Sequence, residues 1–112
     1  MRDVYPRWRG VYHARMQFLS VSRRLTERFT DADFAALVAD EQEQARRLYA
    51  EGVIRQIWHR ADVGGACIVV EADSEAHARE RLNSLPMFSR GMLDVTIIPL
   101  KPYAGFGPRS PK

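Results

Sequence analysis

Glu41 is the residue of this 112-residue chain whose surroundings best suit chemistry. At about 100° per residue, a helix through this region puts four apolar residues in one stripe around Glu41: Phe34, Val38, Ala45 and Leu48. A carboxylate in an apolar stripe loses hydration, which favours its neutral form and raises its pKa. Such a group suits proton transfer near neutral pH, so Glu41 is a candidate general acid or base. The alternative is a structural ion pair with Arg55 or Arg60.

A second group of candidates follows on the next predicted strand. Trp58 and His59 are adjacent there, so their side chains must point to opposite faces of a sheet. The periodicity leaves two assignments open for the side of the sheet that faces away from the helices: Arg55, Ile57 and His59 if Trp58 packs under the helices, or Ile54, Gln56, Trp58 and Arg60 in the reverse case. His59 could act as an acid or base because its unperturbed pKa is near neutral, or could be a hydrogen-bonded structural residue.

Several other kinds of site are not expected. No set of His, Cys and acidic residues has metal-ligand spacing, so we predict no metal site. The chain has neither a glycine-rich phosphate loop nor a dinucleotide fingerprint, and we expect no cofactor. Cys67 is the only cysteine, which excludes an intrachain disulfide and leaves it as a small buried apolar residue.

Composition and charge argue against nucleic-acid and membrane partners. The net charge is +3, but much of the excess lies in the two ends of the chain. Residues 26–100 hold thirteen acidic and eight basic residues, whereas a nucleic-acid domain usually clusters positive charge on one face. No apolar run approaches the roughly 20 residues that span a bilayer, and no signal peptide is recognisable. We therefore expect a cytoplasmic protein.

The spacing of apolar residues and turn signals predicts strand, helix, strand, strand, helix, strand. The strands are expected at residues 16–25, 53–61, 66–72 and 92–100, with a glycine turn at 62–65. Thr30 and Asp33 form a capping box that opens the first helix, and Gly52 ends it. Ser74 opens the second helix, which closes near Pro86. This order is typical of an α+β fold in which two helices cover one face of a four-stranded antiparallel sheet.

The other face of that sheet lacks a cover of its own. The strands at 66–72 and 92–100 are apolar on both sides, whereas a sheet with one wetted face should alternate apolar and polar residues. We therefore expect a homodimer or higher homo-oligomer, in which two sheets pack into a dimeric α+β barrel and close a small apolar pocket. Residues 1–14 are predicted to be an N-terminal arm, 15–103 the domain, and 104–112 a C-terminal tail.

Three motifs resemble the muconolactone delta-isomerase family: ADEQEQARRLYAEGVIRQIWHRA, SLPMF and LDVTIIPL. The similarity extends without gaps from about Met16 to Phe88 and resumes at Leu93. The family implies a ferredoxin-like βαββαβ domain, dimeric α+β barrels that assemble further, and cofactor-independent movement of a double bond in a small lactone. It also implies family glutamate, arginine and tryptophan positions at Glu41, Arg55 and Trp58.

Other pocket positions depart from the family pattern. Phe18 and Ser20 stand where the family has His and Lys, and Gly64 and Ala66 where it has Tyr and Asn. His59 replaces an arginine. These losses of polar groups favour a larger, less charged substrate, polycyclic or aromatic, including a polyketide-type molecule. The substrate-binding positions are therefore Trp58, Phe18, Ser20, Ala66, Ile68 and Phe88.

The function that we expect is proton-transfer isomerisation or cyclisation of a small apolar or aromatic carbonyl or lactone, in aromatic compound metabolism. Glu41 would abstract a proton next to the carbonyl, and His59 or Arg55 would stabilise the enolate. One alternative is a cofactor-free monooxygenase of the same barrel class. The other is a non-catalytic ligand-binding or assembly module in which Arg55 neutralises Glu41.

Overall fold

The computed structural model describes residues 16–109, in which one four-stranded antiparallel sheet is covered on one face by helices. The strands are β1 (Met16–Arg24), β2 (Ile54–His59), β3 (Ala66–Ala72) and β4 (Leu93–Leu100), in the spatial order β2-β3-β1-β4. The helices are α1 (Asp31–Ala35), α2 (Val38–Ala50), α3 (Glu75–Leu82) and α4 (Pro86–Ser89), and a 3₁₀ turn covers Ala104–Phe106. The predicted α+β class and the order of the elements are confirmed.

Local capping chemistry sets the ends of the helices as predicted. The Thr30 hydroxyl accepts a hydrogen bond from the Asp33 amide at 3.1 Å, and the Asp33 carboxylate accepts one from the Thr30 amide at 2.8 Å. The Ser74 hydroxyl caps α3 by accepting from the His77 amide at 3.1 Å. Gly52 follows α2 with φ of +81°, a conformation that favours glycine.

Two details of the helices differ from the prediction of one continuous helix before Gly52 and one that closes at Pro86. The first helix breaks between α1 and α2, where the Leu37 amide bonds the Phe34 carbonyl three residues back. A turn of this type aligns residues three apart, so Phe34 and Leu37 both reach a small cluster with Met87 and Met92. The second helix already ends at Leu82, and Pro86 instead opens the separate helix α4.

The main core lies between the sheet and helices α2 and α3. Leu48 of α2 and Ala78 and Leu82 of α3 pack against the sheet side chains Phe18, Ile54, Ile68, Val70 and Ile97, all of them buried. Burial of this many aliphatic side chains, at about 1.5–3 kcal/mol each, is what holds the helices on this face. We call it the helix face of the sheet.

No described element covers the opposite face, which we call the open face. The strand pairing directs alternate residues to this side, among them Leu19, Val21, Trp58, Cys67, Val69 and Ile98. Trp58 is 53% exposed and Ile98 42% exposed. The predicted arm at residues 1–14 lies outside the described residues. Within 16–109, no helix combines the length and apolar character needed to cross a bilayer.

Candidate functional site

A cavity of about 330 Å³ lies on the helix face, between α2 and one end of the sheet. Its walls are the inner side of α2, the segment around α4, and the ends of β1, β2 and β3: Ser22, Arg24, Val38, Glu41, Gln42, Ala45, Arg46, Ile57, Trp58, His59, Gly65, Ala66, Ile68, Leu85, Met87, Phe88 and Leu93. The cavity exists partly because several lining residues are small: Ala45 on the helix and Ser22, Gly65 and Ala66 on the sheet side. Larger side chains at these positions would fill the gap between helix and sheet.

This cavity is a different space from the chamber expected from the sequence, and that chamber stays a prediction because the structure contains one chain. The sequence suggested a chamber formed between two protomers on the uncovered side of the sheet. The cavity instead lies under α2, within one chain, and Ile57, His59 and Ile68 reach it from the helix face. The reason is that α2 and the sheet do not pack tightly at the end of β1, which a pattern of apolar residues does not reveal.

Glu41 is half-buried in the wall of this cavity. Its Oε1 accepts a hydrogen bond from the Met87 amide at 2.9 Å, in the first turn of α4. Burial raises the pKa of the Glu41 carboxyl above its ordinary value, against smaller opposing effects of the Met87 hydrogen bond and the positive charge of Arg24. Glu41 is thus a carboxyl group with weakened acidity, held by the Met87 amide in the wall of the cavity.

The structural ion pair that was the alternative role for Glu41 does not form among residues 16–109. Arg60 pairs with Asp62 at 2.8 Å in the hairpin between β2 and β3. Arg55 lies 4.0 Å from Glu71 on the neighbouring strand. Met87 is the sole hydrogen-bond partner that the Glu41 carboxylate has in this part of the chain, so its second oxygen is available to a bound molecule.

Arg55 does not line the cavity, although the sequence made it a catalytic candidate. The pairing of β2 with β3 is irregular here, since Ile54 faces Val70 and Gln56 faces Val69, which leaves Arg55 between them. A β-bulge of this kind re-aims the side chain of the extra residue. Its guanidinium is half-exposed and approaches Glu71.

The bulge also decides the orientation that periodicity left open. Beyond it, Ile57 and His59 pair with Ile68 and Ala66 and lie on the helix face, where both line the cavity. Trp58 pairs with Cys67, on the open face, yet as part of an edge strand it also contributes to the cavity wall. Neither predicted assignment was right in full, because Ile54 shares the face of Ile57 and His59.

Of the other binding candidates, Ala66, Ile68 and Phe88 line the cavity, whereas Phe18 and Ser20 do not. Phe18 is 1% exposed in the main core, and Ser20 is fully buried. Both lie on the helix face, but nearer the start of β1 than the residues of this strand that line the cavity. Ser22, one step closer to the end of β1, lines it instead and bonds the Ala66 amide at 3.1 Å through its hydroxyl.

The sequence interpretation missed Arg24, the cation at the end of β1. A signal was present, because Phe18, Ser20, Ser22 and Arg24 alternate along the strand and must share one face. Of the residues on α2, Val38 and Ala45 share the stripe of Glu41 and line the cavity with it. Among residues 16–109, no group of three or more His, Cys, Asp or Glu side chains is placed to hold a metal ion.

The comparisons with known proteins agree with this fold. The sequence model of the muconolactone delta-isomerase family matches residues 12–105. A crystal structure of muconolactone isomerase is similar at a TM-score of 0.68 and 26% identity, covering 87% of this chain and 100% of that one. A search of curated proteins gave no match. Because the family match extends over most of the sequence, the chain belongs to the muconolactone delta-isomerase family.

Proposed function

We propose that the protein is an isomerase that moves a proton within a small carbonyl or lactone substrate, with Glu41 as the acid–base group. The observation that carries the proposal is the position of Glu41, a half-buried carboxyl in a cavity wall with one oxygen free to meet a ligand. Family membership supports an isomerase-like enzyme, and muconolactone isomerase is a similar protein of known structure.

The proposed reaction needs one base and a group that stabilises negative charge on the substrate oxygen. The Glu41 carboxylate takes a proton from a carbon next to the substrate carbonyl, and the C–H electron pair forms a new double bond while charge moves to the carbonyl oxygen. The protonated Glu41 then returns the proton to a different carbon, which shifts the double bond. A carboxyl with a raised pKa is suited to both steps near neutral pH. No cofactor takes part in this scheme.

The lining of the cavity supports a substrate with an apolar ring. Val38, Ile57, Ile68, Leu85 and Phe88 are among the apolar residues that line it. A volume of about 330 Å³ lies at the lower end of the range typical of small-molecule sites, so it suits a lactone or a small aromatic compound better than a polycyclic one. His59 is placed to contact such a ligand from β2. We propose that the enzyme works as a homodimer.

The test is the change Glu41→Gln, which keeps the shape of the side chain and an oxygen for the Met87 amide but removes the base. With muconolactone and a panel of small unsaturated lactones as substrates, kcat should fall by about 10²–10⁴-fold. Glu43→Gln is the matched control, because Glu43 lies on the same helix but is exposed and does not line the cavity. NMR in D₂O should show deuterium entering the product made by the unchanged protein.

Full activity in Glu41→Gln would remove Glu41 from the mechanism. Oxygen uptake during turnover, measured with an electrode, would instead identify a monooxygenase. Binding of panel compounds without any product would favour a ligand-binding module.

A further inference from the structure

Arg24 presents a cationic group in the wall of the same cavity as Glu41. It is the last residue of β1, and its amide donates to the Gly64 carbonyl at 2.8 Å, which anchors the backbone to the hairpin between β2 and β3. Its guanidinium carbon lies 4.8 Å from the centre of the Phe34 ring, within the range of a cation–π contact. The backbone of Arg24 and its guanidinium group are therefore each held by a contact.

This guanidinium has no anionic partner among residues 16–109. No carboxylate there lies within ion-pairing distance of Arg24, although its neighbour Arg23 bonds Glu27 at 3.1 Å and Arg60 bonds Asp62 at 2.8 Å. Arg46, another cation of the cavity wall, is bonded to Glu43 at 3.3 Å. Within the described part of the chain, no acceptor bonds the guanidinium of Arg24, which is stacked on an aromatic ring and partly withdrawn from water.

The charge of Arg24 also acts on Glu41. It is one of the influences that oppose the effect of burial on the pKa of that carboxyl. The two groups do not form an ion pair, so a ligand can enter between a base on α2 and a cation on β1. A planar guanidinium with a fixed orientation suits recognition of an anionic oxygen, since such hydrogen bonds are about twice as strong as neutral ones.

We infer that Arg24 binds an anionic oxygen of the ligand and so determines which molecules the cavity accepts. The inference rests on the proposed function in one respect, that the cavity under α2 is the substrate site. The anionic oxygen can belong to a carboxylate substituent. It can also be the carbonyl oxygen of a ring, which becomes an oxyanion during proton transfer. Arg24 would then take the place that the sequence interpretation gave to Arg55.

Two probe measurements separate these sources, both made on the full chain. Benzoate and benzamide have nearly the same shape, and calorimetry should show benzoate binding at least about tenfold more tightly if a carboxylate is recognised. For a ring oxyanion, the absorbance of 4-nitrophenol should show that the protein binds the phenolate in preference to the phenol, which lowers the apparent pKa of the bound probe.

Arg24→Met should abolish whichever preference the unchanged protein shows, and Arg24→Lys should restore part of it. Arg23→Met is the matched control, because Arg23 is the adjacent residue of β1, points to the open face and does not line the cavity. It should leave the preference intact. If Arg24→Met does not fold, Arg24→Gln provides the same comparison.

The inference fails if the unchanged protein binds both members of each pair equally or binds none of the probes. It also fails if the preference persists in Arg24→Met and Arg24→Gln. These outcomes are separate from those for Glu41, because Glu41→Gln should keep the preference for an anion while losing turnover. An active Glu41→Gln variant with an intact preference would reject the proposed base and keep the anion site.

Discussion

The carboxyl of Glu41 occupies a position that suits its proposed role better than it suits stability. It lies in the apolar stripe of α2 and is compensated by one hydrogen bond from Met87, with no ion pair among the described residues. A carboxylate that is partly withdrawn from water without a paired charge costs free energy. Groups with this combination of burial and raised pKa are concentrated at functional sites.

This cost predicts how the stability of a Glu41→Gln variant depends on pH. Because burial raises the folded-state pKa of Glu41, the unfolded chain loses this proton first as pH rises above about 4.3. The unchanged protein therefore loses stability from that pH up to the raised folded value, and the loss then stays constant. Glu41→Gln removes it, so the variant should gain relative stability as pH rises from 4 to 8, measured by urea unfolding at each pH.

The exposed acid Glu43 gives the control for this measurement. It pairs with Arg46 at 3.3 Å, so Glu43→Gln should show no relative gain at higher pH. A constant difference between Glu41→Gln and the unchanged protein across this range would mean that burial does not raise the pKa of Glu41. Extending the series below pH 4 should add an acidic limb, because Arg23 lowers the pKa of Glu27 to about 2 and Arg60 lowers that of Asp62 to about 2. Stabilisation by these two pairs is lost as pH falls through those values.

The parts of the candidate site whose positions depend on a single helix or strand could be predicted from the sequence. The position of Glu41 among Val38, Ala45 and Leu48 follows from the helical period alone. The sequence could not show how far along β1 the cavity lies, so Phe18 and Ser20 were chosen where Ser22 and Arg24 line it. That distance depends on where the whole of α2 separates from the sheet, which is a property of tertiary packing.

The hairpin between β2 and β3 is an element whose position depends on one glycine. A Cβ atom on Gly65 would lie 2.0 Å from the Ser22 carbonyl oxygen, and the φ of Gly65 is +151°. The hairpin therefore approaches β1 more closely than a side chain at position 65 would allow. Gly65→Ala should destabilise the protein by about 1–3 kcal/mol, since backbone must move, and urea or thermal unfolding would measure this.

The neighbouring Gly64 provides a matched comparison for that change. The three atoms nearest to a Cβ atom there all belong to the Arg24 side chain, the closest at 3.1 Å, and a flexible side chain can make the small shift that this contact requires. Gly64→Ala should therefore cost much less than Gly65→Ala. Equal stability of the two variants would contradict the close approach of the hairpin to β1.

Element order and helix starts were predictable because they depend on short-range signals, as at Thr30 and Ser74. The bulge at Arg55 was not, because nothing in an alternating strand marks where pairing with β3 slips by one residue. The break before α2 was not either, since it depends on Phe34 and Leu37 both reaching Met87 and Met92 across the fold. Contacts between distant segments decide these features.

At the level of the whole molecule, the two faces of the sheet have different roles. The helix face carries the main core and the cavity, and the residues described around both belong to one chain. The open face carries Leu19, Val21, Val69 and Ile98 next to one another on three adjacent strands, without a described cover. A contiguous apolar surface of this kind is rare on monomeric proteins and indicates an interface. A second copy offers the same surface and can pair with it about a twofold axis.

The unchanged protein should therefore sediment as a dimer of its 12.8 kDa chain at micromolar concentration. Ile98→Asp should shift it to monomer, because dimerisation would bury an unpaired charge on the open face. Tyr49→Asp is the control, since Tyr49 is 66% exposed on α2, away from that face, and the variant should remain dimeric. A monomeric unchanged protein, or a dimer that survives Ile98→Asp, would show that the open face does not hold two chains together. Because Arg24 and the other lining residues described belong to one chain, a folded Ile98→Asp monomer should still bind the probes of the Arg24 site.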